Sequence, residues 1–334
     1  MSLEVFLVRK DFLQIVHSVL QKNNVYLWGE AGSGKTQLAI NIGQYIKDNL
    51  KTKKNIDISV YILTITQWTS PIDLIGGETP NGYREGLLEK SWKNGGILIL
   101  DELPKIEPNT SGILNTALAQ TKIAGSYITN GRGETIKKHP HFYVIGTGNT
   151  DMRNISASYG ANYKQDLSLI DRFSGSFFYV SKDEAFEKLL LEKNTGKKFL
   201  GLYEFMDLVR KAVTENEIDT IVSIRTISTI ASMCLAKPDV QKGILPSYFI
   251  SNYFKSSFTK EEYNIINNYI NEITNKSGLF NNISAYYSQE FYKSDKNNFI
   301  DMFISLSDVY DSSKDVYKYL ENSMYFEYGK SIEI

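Results

Sequence analysis

A chain of 334 residues, 42% hydrophobic and 22% charged, has the composition of an ordinary globular protein and room for one large or two ordinary domains. A net charge of −1 argues against a general polyanion binder, and a single cysteine, Cys234, excludes an internal disulfide framework. No apolar run approaches the ~20 residues that span a bilayer, and Glu4 and Arg9 interrupt the N-terminal apolar stretch, so a cytoplasmic protein without a signal peptide is expected.

The first element is a short strand, Val25–Trp28, followed at once by Gly29-Glu30-Ala31-Gly32-Ser33-Gly34-Lys35-Thr36 and a helical run from Gln37. This is the phosphate-binding loop pattern G-x-x-x-x-G-K-[ST] in the strand–loop–helix context that its chemistry requires. Glycines let successive N–H groups turn inward on a polyphosphate, and the helix N-terminus adds partial positive charge. Lys35 would reach the β- and γ-phosphates of ATP, the Thr36 hydroxyl would ligate Mg²⁺, and Gln37 closes the nucleotide-contacting set. A chance match in a glycine-bearing turn is the bland alternative.

Next comes a strand over Ser59–Ile65, then a short hairpin around Asn81-Gly82 with Tyr83 beside its tip, to be read as a pore-lining or an exposed turn aromatic. Gly96-Ile97-Leu98-Ile99-Leu100 is a continuous apolar run, as a central parallel strand requires, and it ends in Asp101-Glu102. An acidic pair at such a strand end lies where open α/β sheets bind ligands. Asp101 would hold Mg²⁺ through water and Glu102 would polarise the attacking water; an acidic loop start that only solvates the strand end is the alternative.

Residues 122–138 predict a hairpin insertion, with Asn130-Gly131-Arg132-Gly133 as its turn. Arg132, Lys137 and Lys138 could touch nucleic acid or form a solvated face. His139 and His141 share one side of an extended segment and could share a metal, but no third ligand is evident. Strands over Phe142–Gly146 and Ser176–Val180 complete a five-stranded parallel sheet in residues 1–181. From 182 to 334 the patterns turn helical. Ser181 to Glu184 and Thr259 to Glu262 fit capping boxes, and Cys234 reads as a packed core thiol within Ile227–Leu235. The segment past Lys276 carries no usable motif.

With these pieces in order, the chain resembles an AAA+ ATPase: a P-loop three-layer α/β sandwich followed by a C-terminal helical lid. The resemblance makes Asn149, at the end of Phe142-Tyr143-Val144-Ile145-Gly146-Thr147-Gly148-Asn149, the sensor 1 residue facing the γ-phosphate or lytic water. Likewise Arg172, in Leu169-Ile170-Asp171-Arg172-Phe173, matches the arginine finger, and Arg225, in Ser223-Ile224-Arg225, matches sensor 2. His139-Pro140-His141-Phe142 after a hairpin is similar to the MoxR and dynein-related branch. Gly148-Asn149-Thr150, Ser158-Tyr159-Gly160 and Asp171-Arg172-Phe173 look like the cobaltochelatase ATPase subunit and its CbbQ/NorQ-type relatives. The resemblance implies a homo-oligomer, commonly a hexameric ring, that acts with a von Willebrand factor A-type partner to remodel, activate or metallate a target. A nucleic-acid motor of the McrB kind is the alternative, suggested by Asn149-Thr150-Asp151-Met152-Arg153 and less favoured by the neutral charge. A nucleotide switch with negligible turnover is a third reading.

Overall fold

The computed structural model describes residue 9 and residues 11–153, 162–195, 200–235 and 253–274. The sheet is built from five short strands: β1 (Val25–Trp28), β2 (Ser59–Thr64), β5 (Gly96–Asp101), β8 (Phe142–Gly148) and β9 (Phe177–Tyr179). Their order is β2-β5-β8-β1-β9, and every pairing is parallel. All seven residues of β8 are buried, as are the first five of β5, which accounts for their unbroken apolar runs.

Helices cover both faces, as the three-layer α/β expectation requires. α2 (Lys35–Lys54) lies close enough for a Cβ on Gly43 to meet the side chains of Val60 and Ile97 at 3.2–3.6 Å. Residues of opposite parity, Leu98, Leu100 and Val144, pack with Leu114 and Leu118 of α5 (Pro108–Ala119) and with Phe173. The remaining helices of this unit are α1 (Phe12–Leu20), α3 (Pro71–Ile75), α4 (Leu87–Asn94) and α6 (Leu167–Asp171).

Two hairpins project from the sheet: β3 (Gly77–Thr79) with β4 (Gly82–Arg84), and β6 (Tyr127–Thr129) with β7 (Thr135–Lys137). They are bonded to each other. The Gly131 N–H donates to Ile75 O at 2.9 Å, and a Cβ on Gly131 would lie 2.1 Å from Gly76 O, so the approach requires glycine. Buried Asn130 donates to Glu89 Oε1 and Glu134 Oε2, both at 2.9 Å. Tyr83 is half-buried rather than a freely exposed turn aromatic. Its hydroxyl donates to Glu89 Oε2 at 2.6 Å, and the Arg132 guanidinium lies 4.1 Å from its ring centroid.

The basic face expected on the second hairpin is corrected at Lys138 alone, because Arg132 and Lys137 are exposed. Arg132 Nε donates to Glu78 Oε1 at 2.7 Å. Lys138 is buried, and its ammonium donates to the carbonyls of Gln120, Thr121 and Ile123 at 2.9, 2.5 and 2.6 Å. It satisfies carbonyls just past the C-terminus of α5, a position that also favours a cation electrostatically. Burial draws its pKa below that of an ordinary lysine. Lys138→Met is expected to orphan these acceptors and destabilise this unit by about 3 kcal/mol. The unfolding midpoint in urea is the measurement, and an unchanged midpoint would remove Lys138 from this structural role.

His139 and His141 are already engaged. His139 Nδ1 lies 3.1 Å from the His141 N–H, and His141 Nδ1 lies 3.2 Å from the Tyr143 hydroxyl. The Lys22 ammonium sits 3.5 Å from the Tyr143 ring centroid, and among the described residues no group of three or more metal-binding side chains forms.

The described residues from 11 to 181 form one compact unit, and Arg9 with the described residues from 182 to 274 forms the other. The second unit contains α7 (Glu184–Thr195), α8 (Leu200–Glu215), α9 (Ile224–Leu235) and α10 (Lys260–Thr274) around Tyr203, Met206, Ile227, Phe254 and Ile266. Its buried acids are paired: Asp207 with Lys182, Arg210 and Lys211, and Glu187 with Arg210 and the Tyr203 hydroxyl. The start of α7 differs from the expected capping box at Ser181, because Asp183 Oδ1 accepts the Phe186 N–H at 3.1 Å. A carboxylate two residues nearer the helix wins over the hydroxyl as cap. The box at Thr259 and Glu262 forms in both directions, at 2.7 and 3.2 Å. The Cys234 side chain, Ser158-Tyr159-Gly160 and the segment past Lys276 lie outside the described residues. Among the described residues no helix is long and apolar enough to cross a membrane.

Candidate functional site

Strand β1 stops because Gly29 turns the chain at a φ of 151°, where an added Cβ would lie 2.6 Å from Val180 O. Gly32 and Gly34 follow at φ values of 80° and 84°, conformations that glycine adopts without strain. Gly34 is the N-cap of α2, and no side chain caps that helix, so its first N–H groups remain available to an anion. Lys35 folds back over the loop, donating to Gly29 O at 2.9 Å and Glu30 O at 2.7 Å. Burial lowers its pKa to about 8, against the opposing charges of Glu102, Asp101 and Glu30.

The acidic pair stands across from this loop. Asp101 ends β5, and its Oδ1 accepts the Thr36 hydroxyl at 2.7 Å and the Thr147 hydroxyl at 2.5 Å. Glu102 takes the left-handed conformation, φ 59°, and its N–H donates to Thr147 Oγ1 at 3.3 Å. Its Oε2 lies 3.4 Å from Asn149 Nδ2 and 3.5 Å from Lys105 Nζ. The sheet order explains the convergence. β8 runs between β1 and β5, so the residues leaving those three strands meet at one edge.

Lys35, Thr36, Asp101, Glu102 and Asn149 are thus brought together. Gln37 is not: it is exposed and donates along α2 to Asn41 Oδ1 at 2.8 Å. Arg172 closes α6, its carbonyl accepting from Asn24 Nδ2 at 2.9 Å, while its buried Nε has no hydrogen-bond partner among the described residues. Arg225 lies in the second unit, exposed in the first turn of α9, where Ser223 Oγ accepts the Thr226 N–H at 3.2 Å.

Sequence reasoning missed Thr147, Lys105 and Tyr26. Thr147 reads as a β-branched strand residue, and only its register beside Asp101 exposes another role. Lys105 could have been found from its spacing of three after Glu102, one turn of helix, which the 3₁₀ turn Leu103–Lys105 realises. Tyr26 is fully buried, and its hydroxyl donates to Thr150 O at 2.7 Å, anchoring the loop after Asn149. Burial, with Glu102 and Asp151 nearby, raises its pKa well above that of a free tyrosine.

The donor set suits Mg²⁺, a hard cation that takes oxygen ligands. The Thr36 hydroxyl spends its one proton on Asp101, which leaves its oxygen lone pairs for a cation.

Residues 24–173 match the AAA domain family of the dynein-related subfamily. A Bacillus subtilis (strain 168) protein, YojN, is 24% identical over 230 residues, 66% of this chain and 71% of that protein. A Staphylococcus aureus (strain USA300) protein is 30% identical over 127 residues, 38% of this chain; the match spans 46% of that relative's length. Among solved structures, domain III of the Thermotoga maritima replication initiation protein DnaA aligns with 75% of this chain and 96% of its own, at 16% identity and a TM-score of 0.46. NtrX from Brucella abortus in complex with ATP aligns with 89% and 67% respectively, at 16% identity and a TM-score of 0.43.

Proposed function

Taking residues 24–173 as an AAA domain, we propose that the chain is a Mg²⁺-dependent ATPase working as a homo-oligomeric ring, six subunits being the expected number, to remodel or activate a protein partner. One observation carries the catalytic part: Thr36, Asp101, Glu102 and Asn149 converge on one sheet edge beside an open helix N-terminus. In this reading Lys35 leaves the loop carbonyls for the β- and γ-phosphates, and the loop N–H groups cradle the chain of phosphates. Thr36, and Asp101 through water, would hold Mg²⁺, which when bound would offset phosphate charge. Glu102 accepts the proton of the water that attacks the γ-phosphorus as the bond to the ADP oxygen breaks, and Asn149 orients that water. Arg172 serves a neighbouring subunit's site, and Arg225 reads the nucleotide from the helical unit.

A von Willebrand factor A-type protein is the proposed partner class, supported by the likeness to cobaltochelatase and CbbQ/NorQ-type ATPases around Asn149 and Arg172. Metal insertion is one form such activation takes. The nucleic-acid reading loses one of its three hairpin cations, because buried Lys138 is spent on internal carbonyls.

Lys35 tests the nucleotide site. Lys35→Ala is expected to weaken ATP binding about 10²-fold, the loss of a charge-assisted contact that no nearby group replaces. The wild-type affinity should itself depend on pH. Phosphates favour the ammonium form, so affinity is fully present below pH 8 and declines as pH rises through about 8, by up to about tenfold per unit. Fluorescent-nucleotide titrations from pH 7 to about 9.5 check both points. Wild-type affinity in Lys35→Ala, or the same alkaline decline in it, would remove Lys35 from the site.

A further inference from the structure

Thr147 is a buried hydroxyl, 1% exposed, on β8, one strand from the acidic pair. The parallel register sets Leu100 beside Gly146, so the next residues on the two strands, Asp101 and Thr147, meet side by side. The hydroxyl's orientation follows from its partners. The Glu102 N–H can only donate, so Thr147 Oγ1 accepts there and its single proton goes to Asp101 Oδ1. The Thr36 hydroxyl donates to the same oxygen. Two donors use both lone pairs of Oδ1, which fixes the rotation of the carboxylate and leaves Oδ2 accepting from neither hydroxyl. The same threonine holds the main chain of Glu102 at a φ of 59°, a conformation that costs a non-glycine residue energy unless its surroundings enforce it.

We propose that Thr147 is a positioning residue that sets how strongly Mg²⁺ and nucleotide binding are coupled, by fixing the Asp101 carboxylate and the left-handed turn at Glu102 through one hydroxyl. It touches neither nucleotide nor metal in this role. The proposal rests on the ATPase reading above, and it deepens it by naming what aims the acidic pair. A threonine that merely filled the strand would be replaceable by valine, which has the same shape, without any effect on metal coupling.

The experiment binds a fluorescent ATP analogue to the full chain, once in excess EDTA and once in excess Mg²⁺, and reads the ratio of the two affinities. Wild type is expected to bind more tightly with Mg²⁺. In Thr147→Val that enhancement should fall about tenfold, the usual weight of one hydrogen bond to a charged group, while affinity in EDTA changes less than about twofold. Thr147→Ser keeps the hydroxyl and should keep the enhancement. Thr147→Ala is the second hydroxyl-free variant, used if valine prevents folding as read by thermal melting. A folded valine or alanine variant with the wild-type ratio overturns the proposal, as does a serine variant that loses it. Equal losses in EDTA and Mg²⁺ overturn it too, because they mark a general structural role. Wild type that binds no nucleotide, or binds it without regard to Mg²⁺, overturns the ATPase reading itself.

Discussion

Glu102→Gln is expected to slow steady-state ATP hydrolysis at least about a hundredfold while leaving nucleotide affinity within a few-fold of wild type. General-base catalysis by a positioned carboxylate is typically worth about 10²–10⁴ in rate, and an amide cannot take the proton. Binding should survive because Lys35, Thr36 and Asp101, the groups proposed to hold the phosphates and Mg²⁺, are untouched. The geometry also says what the substitution removes. Asn149 and Lys105 both approach the same oxygen, Oε2, at 3.4 and 3.5 Å. The Leu103–Lys105 turn places the Lys105 ammonium there, one helical turn after Glu102. Phosphate release and nucleotide titration, run on one preparation, separate the two effects. Turnover near the wild-type rate would take Glu102 out of the chemistry and pass the role to another group near Asn149.

Arg172→Ala is expected to lower hydrolysis by about 10³–10⁵-fold, the range over which a guanidinium delivered to a γ-phosphate acts, without weakening nucleotide binding in the same subunit. The main chain of Arg172 is anchored by Asn24, and among the described residues its Nε finds no acceptor. Arg172 ends α6 outside the cluster around Asp101, so its proposed role is toward another subunit's site. The decisive measurement is mixing. At ATP concentrations that leave the Lys35→Ala loop empty, Arg172→Ala and Lys35→Ala subunits are each expected to be inactive alone, but an interface that pairs an intact loop with an intact arginine is whole. Random mixing in equal parts makes about a quarter of the interfaces whole in a closed cyclic assembly, so activity should return to about that fraction of wild type. Wild-type specific activity should also rise with protein concentration as rings assemble. Concentration-independent activity with no recovery on mixing would end the trans-acting ring proposal.

Much of this was legible in the residues before any fold was considered. Val25–Trp28, Gly96–Asp101 and Phe142–Gly148 announce themselves as buried parallel strands because both faces of each must be apolar. The phosphate loop is equally local. Its glycines answer backbone angles within one turn, and its lysine and threonine sit beside them in the chain. Asp101 and Glu102 could be assigned because a strand end is a place, whatever its neighbours. What the sequence by itself determined, then, is a set of features whose physical cause lies within about ten residues: the strands, the loop and the acidic edge.

Only the tertiary structure decided the features whose cause lies far away in the chain. Lys138 looked like a solvated hairpin lysine until three carbonyls 15 to 18 residues earlier were found to converge on its ammonium. Tyr83 and Arg132 looked free until the two hairpins were found to be bonded through Asn130, Glu89 and Glu78. Thr147 carries no local mark at all: its role exists only because β8 pairs with β5 in a register that sets its hydroxyl beside a carboxylate 46 positions away. A polar side chain has no role until a partner of complementary chemistry lies within about 3 Å and water is excluded, and neither condition is written in the spacing of its own segment.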